Sequence, residues 1–242
     1  MTARCLLLAA LLPGCALAAD LTAVFPQLTP LKLENEGIRV LYAKDQAEKV
    51  TQRPSWINEV EQAGVYAAMP LRLQLGKGIP PLTLYCDSGP SADPSCRLLP
   101  NTDVPEKNLF DAPGMEFAFP GDGRIVVAGH SNNYYDQRKV FHWDGSKFVE
   151  TVQPLLHVGL KGKTRVAIPL RSAPGATAAT TSVVLPAGSS VTVLLNDNST
   201  VDDSGQNPNY LLLSAEGIVG WAYLPGQPDG STAIEGLFYA GD

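Results

Sequence analysis

The sequence predicts a mainly β protein, in which an N-terminal antiparallel β domain (residues 20–155) precedes a small β-barrel (residues 156–242). Short runs of β-branched and aromatic residues recur along the chain, and glycine- and proline-rich turns separate them. No long stretch repeats its apolar residues with the 3.6-residue period of a helix. We therefore expect little helix, with one short helix from Ala43 to Val50 that Pro54 ends.

The clearest local signal in the N-terminal domain is a pair of hairpins between residues 115 and 153. Gly121 to Gly123 separates the first two strands, and Asp144-Gly145, a dipeptide typical of two-residue β-turns, separates the second two. Four antiparallel strands are expected here. The strands predicted across this domain are 38–42, 65–68, 71–75, 82–86, 115–119, 124–128, 138–143 and 147–152.

The C-terminal part of the chain becomes rich in β-branched and small residues from Leu156 onward. Short strands that follow one another this closely are typical of a small barrel. The predicted strands are 165–170, 181–185, 191–195, 210–214 and 218–223.

The first 19 residues have the features of a signal peptide. Arg4 precedes a short apolar run, and Ala16-Leu17-Ala18 offers the small residues of a cleavage site. The run is shorter than the about 20 residues that a membrane-spanning helix needs. A competing interpretation is lipid attachment at Cys15, because Leu12 to Cys15 loosely resembles a lipoprotein signal. We expect a periplasmic or secreted protein, with lipoprotein anchoring as the less favoured alternative.

Cys86 and Cys96 are the cysteines left after removal of the signal peptide. Glycine and prolines between them predict a turn-rich loop. An even number of cysteines in an exported chain predicts a disulfide between these two. A metal site would require further Cys or His residues near them in the sequence, and there are none, so no metal is expected.

The net charge of −6 and the absence of a basic run argue against nucleic acid and anionic membranes as partners. No stretch after the signal peptide is apolar enough for a transmembrane segment. About 220 residues remain in the exported chain, which is enough for one large domain or two smaller ones.

Three motifs in the C-terminal part resemble those of bacterial SH3 domains. Leu170 to Gly175 resembles their opening strand and loop, Leu185 to Leu194 resembles their central strand pair, and Glu216 to Ala222 resembles their closing hairpin. The resemblance implies an SH3-like β-barrel. Within it, we expect Gly188 and Gly220 to allow sharp bends or positive φ, and Trp221 to fill the centre of the barrel beside Val193 and Leu212.

The N-terminal domain resembles uncharacterised secreted bacterial proteins that carry a similar motif series before an SH3-like tail. The series here runs from Gly129 to Lys161 and includes Gly129 to Asn132, Tyr134 and Asp144-Gly145. This likeness implies an architecture and no particular chemistry.

The sequence lacks a catalytic motif. Cys86 ends a predicted strand, whereas a cysteine nucleophile normally begins a helix that lowers its pKa. Ser131 lies in a motif that lacks the final glycine of a nucleophile elbow and precedes a hairpin instead of a helix. A zinc site formed by His130, His142 and His157 is possible across a sheet, but their spacing does not require it. We expect no enzyme and no cofactor.

The candidate binding residues are Asn132, Asn133, Tyr134 and Tyr135, between two predicted strands, because amide and tyrosine side chains are typical of binding loops. We expect an exported binding protein of the bacterial envelope that docks a protein partner or a cell-wall peptide. The alternative is a periplasmic immunity or inhibitor protein that blocks a toxin or lytic enzyme. A third, weaker alternative is a hydrolase that uses His130 or His142 with Asp136 or Asp144.

Overall fold

A computed structural model describes residues 21–33, 37–88, 94–100, 107–129, 137–199, 207–225 and 232–237. Within these ranges the chain forms mainly β-structure, as the sequence predicted, with the short helices α1 (Leu21–Val24) and α2 (Ser55–Gln62). The strands are β1 (Thr29–Lys32), β2 (Arg39–Tyr42), β3 (Ala47–Lys49), β4 (Ala67–Leu73), β5 (Leu82–Asp87), β6 (Ser95–Leu99), β7 (Phe110–Pro113), β8 (Glu116–Phe119), β9 (Arg124–Gly129), β10 (Gln137–Trp143), β11 (Phe148–Glu150), β12 (Leu155–Lys163), β13 (Ile168–Arg171), β14 (Thr180–Leu185), β15 (Ser190–Asp197), β16 (Asn209–Ser214) and β17 (Val219–Tyr223).

The N-terminal strands form two sheets that share one hydrophobic core. The first sheet has the order β1-β2-β8-β9-β10-β11, and the second has the order β3-β4-β5-β6-β7. Phe117 and Val127 of the first sheet and Leu84 and Leu98 of the second belong to the same buried cluster. The two sheets therefore pack face to face, which buries one side of each.

One pair of strands in the first sheet is parallel, which differs from the antiparallel prediction. β2 pairs with β8 in parallel, with Val40 opposite Phe117, while the other pairs of this sheet are antiparallel. The chain leaves the sheet after β2, forms the whole second sheet, and returns to β8 beside β2. Such a long connection is what a parallel pair requires.

The hairpin predictions in this region are confirmed. β8, β9, β10 and β11 are successive neighbours joined by antiparallel pairing. Asp144 closes the turn before β11, because its Oδ1 accepts hydrogen bonds from the N–H groups of Ser146 (2.8 Å) and Lys147 (2.9 Å). Gly145 has φ +107°, a conformation that glycine adopts without strain.

The predicted helix from Ala43 to Val50 is wrong. This segment forms a 3-10 turn, Lys44–Gln46, and then β3, where Ala47 pairs with Leu73. The helix follows Pro54 instead of ending there, since the fixed φ of proline is compatible with the residue that precedes a helix. α2 packs on the second sheet through Ile57, which is fully buried.

The strands predicted at 65–68 and 71–75 form one strand, β4. The pairing with β5 shifts between Ala68 and Leu71, so the irregularity accommodates Pro70, which lacks a backbone donor. The proline interrupts the ladder locally without ending the strand.

The C-terminal strands form a separate six-stranded antiparallel sheet in the order β12-β15-β16-β17-β13-β14. All five predicted strands are present, and β12 joins them as a sixth. One face of the sheet surrounds a second core, to which Ile234 and Leu237 near the C-terminus contribute. The pairings between the described strands do not close the sheet into a barrel.

Among the described residues, no helix has the length and hydropathy needed to cross a bilayer. The signal-peptide residues and Cys15 lie outside the described ranges, so export and lipid attachment stay predictions.

Candidate binding surface

Trp221 does not lie in the C-terminal core, so the prediction that it fills the centre of a barrel is wrong. It is half-buried, whereas its neighbours Gly220 and Ala222 on β17 are buried. Gly220 permits close packing: a Cβ atom there would lie 2.9 Å from Leu170 Cβ. The crowded position faces the core, and alternation along the strand turns Trp221 to the opposite side.

Trp221 belongs to a continuous cross-strand row that spans the C-terminal sheet. Directly paired residues point to the same face of a sheet. The row runs through His157, Leu195, Leu211, Trp221, Arg171 and Thr180, one residue from each of the six strands. None of these residues is buried. The adjacent row of Leu156, Asn196, Tyr210 and Ala222 is buried, which shows that the two rows lie on opposite faces.

A second row extends the same surface. It consists of Lys161, Thr192, Leu213 and Val219, paired in that order across β12, β15, β16 and β17. Tyr223 lies two residues from Trp221 and shares its face. We call these two rows, together with Tyr223, the outer face. None of its apolar side chains belongs to, or packs on, a buried cluster of the described residues.

Contacts with two neighbouring residues hold the side chain of Arg171 in place on this surface. Its guanidinium carbon lies 5.9 Å from the ring centroid of Tyr223, a distance compatible with a cation–π interaction. One guanidinium nitrogen donates a hydrogen bond of 2.7 Å to the carbonyl oxygen of Ala178. These contacts fix a cation beside the half-buried indole of Trp221.

Lys161 and Arg171 are the charged residues of the two rows, and both are cationic. One carboxylate lies on the same side of the sheet: Asp197 is two residues from Leu195 on β15 and opposite Leu155, and it is buried. The chain as a whole carries a net charge of −6. The outer face therefore combines partly buried apolar side chains and the exposed Val219 with two cations, on a protein that is acidic as a whole.

The binding residues predicted from the sequence, Asn132, Asn133, Tyr134 and Tyr135, lie outside the described residues. The strands before and after them are described, and Gly129 of β9 pairs with Gln137 of β10. Their proposed role stays a prediction.

The predicted disulfide between Cys86 and Cys96 is confirmed, with an S–S distance of 2.05 Å. Cys86 on β5 pairs directly with Cys96 on β6, so the disulfide links two neighbouring strands at directly opposite positions. Both are fully buried in the N-terminal core. The disulfide is therefore a structural bond within the core.

The described histidines and aspartates of the hydrolase alternative do not pair. His142 Nδ1 lies 3.0 Å from the hydroxyl oxygen of Thr151. The carboxylate of Asp144 accepts the turn hydrogen bonds given above, and those from Lys147 and Ser146 hold its pKa below the ordinary value. His130 and Asp136 lie outside the described ranges. Within those ranges, no group of three or more His, Cys, Asp or Glu residues could hold a metal ion.

A polar cluster covers the side of the second sheet that faces α2. Arg97 forms ion pairs with Asp87 at 3.0 Å and with Asp111 at 3.1 Å. Burial, and then the adjacent carboxylate of Asp87, raise the pKa of Tyr85. Since one guanidinium neutralises both carboxylates and the phenol keeps its proton, this arrangement stabilises the sheet and offers no activated nucleophile or base.

A shallow groove of about 650 Å³ lies in the N-terminal part, between the segment after α1 and the 3-10 turn. Gln27, Lys44 and Pro120 are among the residues that line it. Most of the residues that line it are polar or charged and none is aromatic, so it is a weaker candidate for docking than the outer face.

Sequence reasoning missed the outer face, although one signal of it was present. The run Tyr210 to Leu213 is apolar on both sides of a strand, and such a run predicts either a strand buried on both faces or one with an exposed apolar side. The structure lies between the two cases, because Tyr210 and Leu212 are buried while Leu211 and Leu213 are partly buried on the other side of the strand.

Comparison of the chain with family models, with curated proteins and with solved structures finds no match. The resemblance to bacterial SH3 domains therefore remains a prediction based on the three sequence motifs.

Proposed function

We propose that this chain is an exported, non-enzymatic binding protein of the bacterial envelope that docks a protein partner or a cell-wall peptide on its outer face. The observation that carries this proposal is the cross-strand row through Trp221, whose apolar side chains are only partly buried and belong to none of the buried clusters. Extended apolar surface of this kind is typical of interaction sites. Trp, Tyr and Arg are also the residues that contribute most often to binding energy at interfaces.

Two further observations support the location. The apolar run and cleavage motif in residues 1–19 are typical of exported proteins. The Cys86–Cys96 disulfide is stable in oxidising compartments such as the periplasm and is rare in the cytosol. Together they favour a partner that the chain meets outside the cytoplasm.

The SH3-like assignment of the C-terminal part belongs to this proposal. Its motifs fall on β13, on the end of β14 with β15, and on β17, and Gly188 has φ +84° in the turn between β14 and β15, as expected for a glycine-dependent bend. In such a domain the outer face would be the surface available to an extended peptide. The charge of the surface favours a ligand that carries carboxylates.

The proposal is tested by retention of the exported protein on purified cell-wall sacculi and by its pull-down of proteins from an envelope extract. Trp221→Ala should reduce retention at least tenfold, because it removes the largest apolar side chain of the outer face. Lys161→Gln should weaken retention less and make it less sensitive to salt.

Val24→Ala and Lys77→Gln serve as matched controls, since both alter exposed residues away from the outer face. They should bind like the wild type. Retention by neither sacculi nor any envelope protein would contradict the proposal. Capture of a lytic enzyme or toxin together with loss of its activity would instead support the inhibitor alternative.

A further inference from the structure

Residues 232–237 lie along the end of β12, and we call them the strap. Among the described strands, β12 pairs in a ladder with β15 alone. On the other side of β12, Ile234 of the strap forms an antiparallel bridge with Thr164, the residue that follows the strand. Next to this bridge, the N–H of Glu235 donates a hydrogen bond of 2.9 Å to the carbonyl oxygen of Lys163. The strap is therefore joined to the edge of the sheet through a single bridge.

The strap is seated through a tight turn and two buried aliphatic side chains. Ile234 and Leu237 are fully buried and belong to the C-terminal core. The N–H of Leu237 donates a hydrogen bond of 3.3 Å to the carbonyl oxygen of Ile234, and Gly236 has φ +75°. A four-residue turn with positive φ at its third position favours glycine there. Glu235, the second residue of the turn, is exposed. The groove under the strap therefore fits an aliphatic residue, any exposed residue, glycine and leucine, in that order.

Gly162 of β12 forms one wall of this groove. An added Cβ at this position would overlap the carbonyl oxygen of Glu235 and would lie 3.2 Å from Ile234 Cγ2. The φ of Gly162 is not positive, so the backbone conformation does not require glycine. The close approach of the strap requires it instead.

The groove is held together by contacts that do not involve the strap. The hydroxyl of Thr164 donates a hydrogen bond of 2.6 Å to the carbonyl oxygen of Pro186, and its N–H donates one of 3.0 Å to the carbonyl oxygen of Ser189. These bonds attach the end of β12 to the turn between β14 and β15. Gly162 pairs with Val191 in the ladder between β12 and β15. The wall of the groove is therefore fixed independently of its occupant.

The strap itself is held by few main-chain bonds. Besides the bond from Glu235, the described residues provide one from the N–H of Arg165 to the carbonyl oxygen of Ala233, at 2.7 Å. Both bonds flank the same bridge, and none of the six strands pairs with the strap in a ladder. A segment attached in this way can open locally while the sheet stays folded.

We propose that this groove is a second docking site, which accepts an aliphatic-x-Gly-Leu turn from a protein partner, and that the strap is its resident competitor. Main-chain bonds to a sheet edge, combined with pockets for particular side chains, are a recurring way to bind peptides. The site is separate from the outer face, because side chains alternate along β12: Gly162 faces the strap, whereas Lys161 faces the opposite side. A partner must displace a tethered segment, so the strap lowers the affinity of the groove for other occupants.

A blocked hexapeptide with the sequence of the strap, Thr-Ala-Ile-Glu-Gly-Leu, is the probe. Leu237→Ala weakens the strap and leaves the wall of the groove intact. It should lower the melting temperature of the protein without residues 1–19 by about 5–10 °C. Millimolar peptide should restore about half of that loss, because a ligand that binds only the folded state raises the melting temperature. The wild type should gain less than about 1 °C, because its own strap already fills the groove.

Two variants and a second peptide provide the controls. Gly162→Ala obstructs the groove for strap and peptide alike, so its melting temperature should fall and the peptide should not restore it. Val166→Ala changes an exposed residue close to the end of β12 and should behave like the wild type. A peptide with valine in place of glycine should restore nothing to Leu237→Ala, because a β-branched residue disfavours positive φ.

Hydrogen exchange of two amides locates the bound peptide. In Leu237→Ala, millimolar peptide should speed exchange of the Glu235 amide at least tenfold, because the displaced strap loses its bond to Lys163. The Arg165 amide should stay protected, because a carbonyl of the peptide replaces that of Ala233.

The proposal is overturned if the peptide leaves the melting temperature of Leu237→Ala unchanged, if it restores Gly162→Ala equally, or if the Glu235 amide stays protected. Ile234→Val, which removes a single carbon from the same pocket, replaces Leu237→Ala if that variant does not fold. The same outcomes then apply.

Discussion

Arg171 on β13 lies directly opposite Trp221 on β17, and this pair joins the β13–β14 hairpin to the meander of β15, β16 and β17. Their side chains therefore lie next to each other on the outer face. The arrangement places a guanidinium beside an indole on the surface that we propose for binding.

Replacement of Arg171 tests how strongly this contact organises the surface. Arg171→Gln removes the hydrogen bond to Ala178 and the stacking on Tyr223. We expect a loss of about 1–2 kcal/mol in the free energy of unfolding, measured with urea. Arg165→Gln changes an exposed arginine in the segment between β12 and β13. It should change the free energy of unfolding by less than about 0.5 kcal/mol. Equal effects of the two variants would mean that the Ala178 and Tyr223 contacts contribute nothing.

Reduction of the Cys86–Cys96 disulfide should destabilise the N-terminal sheets. The bond closes a short loop, and the loss of its constraint on the unfolded chain is worth about 2–3 kcal/mol. Urea unfolding of the protein without residues 1–19, measured with and without reductant, gives this difference in the free energy of unfolding. Thiol titration of the denatured, unreduced protein should find no free thiol at these positions.

The replacement residue matters because both cysteines are fully buried among apolar side chains. Replacing both with serine should destabilise the protein more than reduction does, since it buries two hydroxyl groups. Replacing both with alanine should give a free energy of unfolding closer to that of the reduced wild type. Retention on the binding partner should be nearly unchanged in any variant that folds. The disulfide lies in the N-terminal core, whereas the outer face belongs to the C-terminal sheet, which packs on a separate core.

Gly220→Ala should destabilise the C-terminal sheet, because the added Cβ would lie 2.9 Å from Leu170 Cβ and 3.0 Å from Leu170 Cδ1. Relief of such overlap in a packed core costs about 1–3 kcal/mol. Leu170→Ala removes the Cγ and Cδ atoms and keeps Cβ, so Gly220→Ala should cost less in that background than in the wild type, although the contact with Cβ remains. Additive effects of the two substitutions would show that the outer atoms of the Leu170 side chain contribute nothing to the cost.

The Asp144 turn should contribute stability that depends on pH. Hydrogen bonds from Lys147 and Ser146 favour the carboxylate and lower the pKa of Asp144 in the folded protein. A depressed folded pKa stabilises the protein above the unfolded pKa of about 3.9, and this contribution disappears as pH falls through the folded value. Asp144→Ala should therefore melt below wild type at pH 7, and the gap should narrow below about pH 4.

Ser146→Ala provides the comparison for that pH dependence. It removes one donor to Asp144 and keeps the two backbone donors, so it should reduce the pH-dependent gap without abolishing it. A melting difference between Asp144→Ala and wild type that stays constant from pH 2 to pH 7 would contradict this account.

Local chemistry determined several features of this protein. Asp144-Gly145 specifies its turn through hydrogen bonds within four residues, and the flanking strands follow from their alternating pattern, so the hairpin was predictable. The pairing of Cys86 with Cys96 was predictable as well, because they are the two cysteines that lie outside the predicted signal peptide. The mainly β composition of both parts follows from the same short-range patterns.

Other features depend on contacts between distant segments, and the sequence predicted them wrongly or missed them. Ala43 to Val50 could form a helix in isolation, but pairing of β3 with β4 gives it an extended conformation. The parallel pair of β2 and β8 arises only because a whole sheet lies between them in the chain. Propensity and periodicity describe neighbours in sequence, so they do not contain this information.

The outer face shows most clearly the difference between local sequence signals and contacts between distant segments. The motif around Trp221 predicted a strand that carries a tryptophan, but it did not predict which face of the sheet would pack on the core. The tertiary structure decided this, because Leu170 packs against Gly220 and a bulge between Val193 and Leu195 changes which residues of β15 face the core. Side chains alternate every residue along a strand, so one such contact places the neighbouring Trp221 on the open side.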